Sequence, residues 1–155
     1  MFARCARCPD AGSPDREDIR RTEPIKIQKV EISGRPIETG KKFAGDDDWL
    51  DGLKVTVKNT SDKVITRIAI GLSFPRNSGA ADETTYLVEM MYGNDPADEN
   101  FDVLKQVNPG ATAEVMMIKS NVPIIKQDLK QLGYPDPIFR AQLKIQSVTF
   151  IDGSM

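Results

Sequence analysis

Two acidic stretches and one pair of cysteines carry the residue types with which this chain could do chemistry. Cys5 and Cys8 in "CARC" form a C-x-x-C pair, half the ligand set of a structural zinc site. No second pair and no histidine completes it, so the pair reads as incidental thiols, with a disulfide and a metal or redox role as the alternatives. "GDDDWLDG" sets Asp46, Asp47, Asp48 and Asp51 around Trp49. An indole flanked by carboxylates suits a sugar or a peptide, which makes Trp49, Asp47 and Asp48 the candidate ligand-binding residues. The plainer reading is a solvated loop whose Trp49 tucks into the rim of the fold. No register of that stretch meets the calcium-loop pattern of alternating acidic donors, glycine and a final glutamate. "YGNDPADENFD" (92–102) lies in a long interval, between Arg76 and Lys105, that contains no basic residue. Asp95, Asp98, Glu99 and Asp102 there are hard oxygen donors on one loop, and they form the candidate weak calcium site, set against a solvated acidic loop.

Composition narrows the chemistry further. The chain has 155 residues, 21 basic and 23 acidic side chains, a formal charge of −2 and no histidine. Without imidazole there is no Ser-His-Asp or Cys-His nucleophile and no zinc-protease helix pair. Carboxylate chemistry survives in principle, but glycoside hydrolysis needs two positioned carboxyls with one raised pKa, and no pair stands out for it. The near-balanced charge offers no general attraction to a phosphate backbone, so nucleic acid is not an expected partner. No apolar run reaches the roughly 18 residues of a spanning helix, so membrane insertion is not expected, and "MFARCARCPDAGSPD" lacks the apolar stretch of a secretion signal.

These residues need elements to position them. Residues 1–23 contain arginine but no lysine, with Pro9, Gly12, Ser13 and Pro14 close together and little apolar material, and they read as a disordered tail. Residues 24–155 read as one domain. "IKIQKVEI" (25–32) is the first strand, with Ile25 and Ile27 on one phase and Val30 and Ile32 on the other, a slip that signals a bulge or a crossing between sheets. A polar, Gly- and Pro-punctuated loop follows. In "LKVTVKNTSDKVITRIAIGLSFP" (53–75), Leu53, Val55 and Val57 share one face. After "NTSDK", the face of Val64, Thr66, Ile68, Ile70, Leu72 and Phe74 opposes Ile65, Arg67 and Ala69, and the favoured reading is a hairpin.

"TTYLVEMMY" (84–92) and the segment after Pro109-Gly110 are further strands, the Pro-Gly pair fitting the centre of a type II turn. "NVPIIKQDLKQLG" is a short helix with Pro123 in its first turn, Ile125, Leu129 and Leu132 on one face and Gly133 as its stop. "FRAQLKIQSVTFI" (139–151) alternates through Phe139, Ala141, Leu143 and Ile145, then slips to Val148 and Phe150. Asp152-Gly153 is a turn signal with only two residues after it, so the expectation is of a missing partner strand and a domain truncated at its C-terminus. Adjacent methionines at 90–91 and 116–117 must point to opposite faces, one of each pair inward. Six or seven such strands bury their apolar faces by stacking as two sheets, so the expected fold is an all-β sandwich with one short helix.

"LKVTVKNTSDKVITRIAIGLSFP" together with the "VNPGATAEVMM" turn and strand resembles the immunoglobulin-like β-sandwich modules of bacterial envelope proteins, in particular the family named for a Phe-x-Leu-Tyr-Asp motif. The likeness covers about residues 53–118, and this chain has Leu72-Ser73-Phe74-Pro75 where the motif would stand. The resemblance implies an immunoglobulin-like, extracytoplasmic, non-enzymatic module and supplies no catalytic residue. The expected function is therefore a binding or assembly module for a protein or glycan ligand. Inhibition of a protease by the loop "RNSGAADET" (76–84) is the alternative, followed by a carboxylate-based hydrolase.

Overall fold

The computed structural model describes residues 23–38, 40–41, 48–74, 86–134 and 141–155. Among these residues seven strands form two antiparallel sheets. The first, sheet A, holds β1 (Ile25–Ile32), β2 (Arg35–Ile37), β3 (Leu53–Asn59) and β6 (Thr112–Met116) in the order β2-β1-β3-β6. Sheet B holds β4 (Ile65–Phe74), β5 (Tyr86–Gly93) and β7 (Gln142–Phe150) in the order β5-β4-β7. The helix α1 (Val122–Gln131) joins β6 to the segment leading into β7. The protein is an all-β sandwich with one short helix.

The period-two pattern does what its chemistry requires. Leu53, Val55 and Val57 from β3 and Ile68, Ile70, Leu72 and Phe74 from β4 all lie in the core, each 2 % exposed or less. Burying such a side chain is worth roughly 1.5–3 kcal/mol relative to leaving it in water. Both phase slips are β-bulges. The β1–β3 register shifts between Ile27 and Lys29, and the β4–β7 register shifts at Gln146, between the pairs Ala69–Ser147 and Ile70–Ile145. Each bulge turns the residues beyond it, Val30 in β1 and Val148 in β7, back toward the interior.

The hairpin expected at residues 53–75 is not formed. β3 belongs to sheet A and β4 to sheet B, so "TSDKV" is an arch that carries the chain from one layer to the other. The cause is Asn59, which is fully buried and uses its side chain as a hub. Its Nδ2 donates to the carbonyls of Lys63 (2.8 Å) and Val107 (2.9 Å), while its Oδ1 accepts from the Ser61 amide (2.9 Å) and hydroxyl (2.7 Å). The same carbonyls also accept from the Ile65 amide (Val107, 3.0 Å) and the Ser61 hydroxyl (Lys63, 3.2 Å), so the Asn59 side chain ties the arch to the Val107 segment rather than to a hairpin partner. The inward phase at the start of β4 also differs from expectation. Ile65 is fully buried and Val64 half-buried, because a register shift between Ile65 and Arg67 reverses the alternation at Thr66.

Two smaller departures concern the rest of the chain. The polar loop after β1 contains β2, a three-residue strand that folds back on β1 through a turn at Ser33 and Gly34, both at positive φ. In α1, Ile125 and Leu129 are buried as expected, but Leu132 is 45 % exposed. The helix ends in a Schellman turn: the Tyr134 amide donates to the Leu129 carbonyl and the Gly133 amide to that of Lys130, with Gly133 at φ 77°. That turn carries Tyr134 into the core in place of Leu132. The Pro109-Gly110 turn is as expected, with Gly110 at φ 79° and the Ala111 amide donating to the Asn108 carbonyl.

Candidate functional site

The sequence-derived candidate sites fare unevenly. Cys5, Cys8, Asp46, Asp47 and the loop 76–84 lie outside the described residues. Trp49 opens a short 3-10 turn, Trp49–Gly52, and is only 5 % exposed within the core cluster. A stacking platform must offer a ring face to solvent, and this indole, packed in the core cluster, offers almost none. Asp48 is exposed and ion-paired with Lys126 of α1, which fastens the helix to that turn.

The acidic loop is likewise organised for structure. Asp95 Oδ1 accepts from the Ala97 amide (2.9 Å), Asp98 Oδ2 from the Asp95 amide (3.3 Å), and Asp102 Oδ1 from the Leu104 amide (2.9 Å). Among the described residues no three acidic, cysteine or histidine side chains gather as a metal-binding group, so the structure does not bring Asp95, Asp98, Glu99 and Asp102 together as calcium ligands. Their carboxylates behave as the turn acceptors that Asp commonly supplies.

The outward face of sheet A carries a charge ladder. Glu31 is buried beneath Lys29 (2.7 Å) and Lys54 (3.0 Å), and Lys54 also reaches Glu114 (3.0 Å) on the neighbouring strand. The two ammonium groups, Lys29 first, hold the Glu31 carboxyl below its ordinary pKa, and Glu31 then Glu114 hold Lys54 above its own. These four charges are mutually paired, as charges on a solvated sheet face commonly are.

A different arrangement appears where sheet B ends. β5 lies against β6 on one side of the sandwich, with Met90 buried and Tyr86, Val88 and Tyr92 half-buried, and the opposite side lies between β7 and the β1–β2 edge of sheet A. On that side sheet A has one strand more than sheet B among the described residues. The inward side chains there are incompletely covered. Leu143 and Ile145 of β7 are half-buried, although their register partners Leu72 and Ile70 are 1 % exposed and fully buried. Across from them Ile27 and Ile37 are half-buried too. The sequence shows these four residues as apolar; nothing in it shows that their neighbours stop short.

The chain leaves β7 through a tightly held reversal. The Gly153 amide donates to the Phe150 carbonyl (2.9 Å) with Gly153 at φ 78°, and the Phe150 amide donates to the Ser154 carbonyl (2.9 Å). A turn followed by a left-handed glycine and that second bond has the geometry of a three-residue hairpin connection. The turn is anchored from the arch. Lys63 Nζ pairs with Asp152 (2.8 Å) and sits 5.4 Å above the Phe150 ring, and the Ile151 amide donates to the Val64 carbonyl (3.0 Å). Lys63 and the Ser154 hydroxyl and amide together hold the Asp152 carboxyl well below the usual carboxylate range, and Asp152 holds Lys63 above its ordinary value. The chain matches no family model, no curated protein and no solved structure.

Proposed function

We propose that this protein is a non-catalytic binding or assembly module that works through the side of the sandwich where β7 faces β1 and β2. The observation that carries the reading is the half-buried row of Leu143, Ile145, Ile27 and Ile37 beside a nine-residue strand with no sheet neighbour beyond it among the described residues. A long strand edge in a soluble sandwich is usually blunted by charge, proline or cover. β7 has a single charged residue, Lys144, and no proline. A partner covering this side would remove apolar surface from water and use unpaired backbone groups, and both favour association.

The strand order supports the immunoglobulin-like expectation. In such sandwiches the first, second and fifth strands share one sheet and the third, its neighbour and the sixth share the other. β1, β3 and β6 take the first set of places, and β4, β5 and β7 the second. The place beside β7 is the one a last strand takes in that arrangement. With the resemblance to envelope modules, this favours an extracytoplasmic bacterial setting.

A carboxylate hydrolase is the weaker reading on physical grounds. A general acid at neutral pH needs a raised carboxyl pKa, whereas Glu31 and Asp152 are both lowered by ammonium partners. The proposal is tested by replacing Lys144 with a photo-crosslinking residue in living bacteria, with Lys58 on the outward face of sheet A as the control position. Discrete adducts at position 144 and none at 58 are expected. Equal labelling at the two positions, or none at 144, removes this side of the sandwich as the binding surface.

A further inference from the structure

The outward face of sheet B holds a contact that owes nothing to the β7 side. Arg67 of β4 donates from Nη2 to the sulfur of Met91 on β5, 3.7 Å away. The strand register explains that reach. Arg67 stands opposite Gly93, where no side chain can stand, since a Cβ at Gly93 would lie 2.0 Å from the Thr66 carbonyl oxygen. With that place bare, the guanidinium extends diagonally to Met91, the residue opposite Ala69. Arg67 makes no ion pair among the described residues. A group with several N–H donors is thus matched to a thioether, one of the weakest acceptors a side chain offers.

Chemistry at the sulfur removes that mismatch. Met91 is 40 % exposed, so a peroxide in solution reaches it. The thioether attacks one peroxide oxygen, and the O–O bond breaks as the S–O bond forms. Sulfur gives up two electrons, and the proton left on the sulfur-bound oxygen passes to the departing hydroxide, which leaves as water. An oxygen placed between the Met91 sulfur and Nη2 lies within ordinary hydrogen-bond range of a cationic donor. We infer that Met91 is a redox-responsive modification site, at which oxidation by a peroxide turns a weak sulfur contact into a charge-assisted hydrogen bond that pins Arg67 to β5. The surface changes with it. Met91 shares the outward face of β5 with Leu87, which is 48 % exposed, and oxidation makes one member of that apolar pair polar. Met116 supplies the internal comparison. It is more exposed, at 57 %, and its register partner Lys54 is also cationic, but that ammonium is already held by Glu31 and Glu114 at 3.0 Å each. A sulfoxide at Met116 therefore competes with two carboxylates for its donor.

The test uses the whole chain in two backgrounds, both carrying Met155→Leu. One adds Met116→Leu, so that Met91 is the exposed strand sulfur, and the other adds Met91→Leu, so that Met116 is. Dilute hydrogen peroxide is applied until the proteolytic fragment with that methionine carries one added oxygen by mass. Exchange of the Arg67 guanidinium and Lys54 ammonium protons with water is then compared by NMR before and after. Oxidation at Met91 should slow exchange at Arg67 fivefold or more and leave the urea unfolding midpoint unchanged or higher. With Arg67→Ala added, the same oxidation should lower the midpoint, because the new oxygen has lost its charged donor. Oxidation at Met116 should leave exchange at Lys54 as it was. Arg67 exchange that does not slow, or an equal midpoint change with and without Arg67, overturns the inference. So does a Met91 sulfur that stays reduced under conditions that consume Met116.

Discussion

The two sides of this sandwich are built from the same kinds of residue and bordered by different strands. Where β5 meets β6, Met90, Ala113 and Val115 are buried to 5 % exposure or less, while Tyr86, Val88 and Tyr92 are half-covered. Where β7 faces β1 and β2, Val30 and Val148 are buried, while Leu143, Ile145, Ile27 and Ile37 are half-covered. Apolar alternation in a strand therefore states which face turns inward; it does not state whether anything is there to meet it. Burial is a property of the layer opposite and of the next strand along, and only the sheet order supplies those.

The largest effect expected from this contrast compares two isoleucines that are direct register partners. Ile70→Ala, in fully buried surroundings, should cost about 4 kcal/mol in urea unfolding, within the range for emptying a core site, and Ile145→Ala about 1–2 kcal/mol because water already reaches part of that site. Equal losses would mean that the β7 side is as closed as the other. Asn59→Ala comes next. It removes the Asn59 side-chain bonds to the Lys63 and Val107 carbonyls, each of which keeps a second donor, and the acceptor of the Ser61 amide and hydroxyl, and should lower stability by about 2 kcal/mol. A cost below 0.5 kcal/mol would show that the arch forms without its hub.

The closed end of the molecule is also sensitive to alkali. Tyr86 is desolvated, and its hydroxyl donates to Asp128 on α1 (2.7 Å), so its pKa is pushed up to about 12 from its ordinary value of 10.0. The unfolded chain then loses this proton first. The stability Tyr86 contributes is present below pH 10 and is lost as the pH rises from about 10 to about 12; Tyr86→Phe should remove that part of the slope. On the open side the corresponding group is Asp152, with its pKa lowered. Its contribution is present above the ordinary carboxylate value and lost as the pH falls toward its folded value, so acid should loosen the Phe150–Ser154 turn first. Asp152→Asn should speed exchange of the Phe150 amide at neutral pH with little change in the unfolding midpoint. The smallest effect is for calcium. With Asp95, Asp98 and Asp102 spent as turn acceptors, millimolar calcium and a chelator should give the same melting temperature, and a calcium-dependent rise of several degrees would restore the site.

Much of the fold can be read from the residues, for identifiable reasons. Most strand faces, the bulges in β1 and β7, the Pro109-Gly110 turn and the helix stop at Gly133 are local: each depends on alternation, on a positive φ or on a fixed proline φ within a few residues; the shift at Thr66 that reverses the start of β4 is not legible. The pairing of β3 with β1 and β6 rather than with β4 is not local. It depends on Val107, 48 residues from Asn59 in sequence, offering its carbonyl to the Asn59 side chain. The short turn residues of "NTSDK" serve a hairpin and an arch equally well, and the deciding bond is invisible in a linear reading. The same limit applies to the candidate sites. Acidic residues and an indole mark chemistry by type, but burial removed Trp49 from the surface and local turns absorbed the carboxylates. The edge of β7, which has no sheet neighbour beyond it among the described residues, has no residue-type signature at all. Its one sequence trace is Asp152-Gly153, the turn that leads toward it.

The neighbouring methionines supply a chemical ruler for all of this. Met90 and Met117 are buried, while Met91 and Met116, one peptide bond away, are 40 % and 57 % exposed. Dilute peroxide, which converts accessible thioethers to sulfoxides, should therefore label one sulfur of each adjacent pair and spare the other for as long as the sheets hold together. Opening of the sandwich, by whatever cause, would then register as a second oxygen on the same proteolytic fragment.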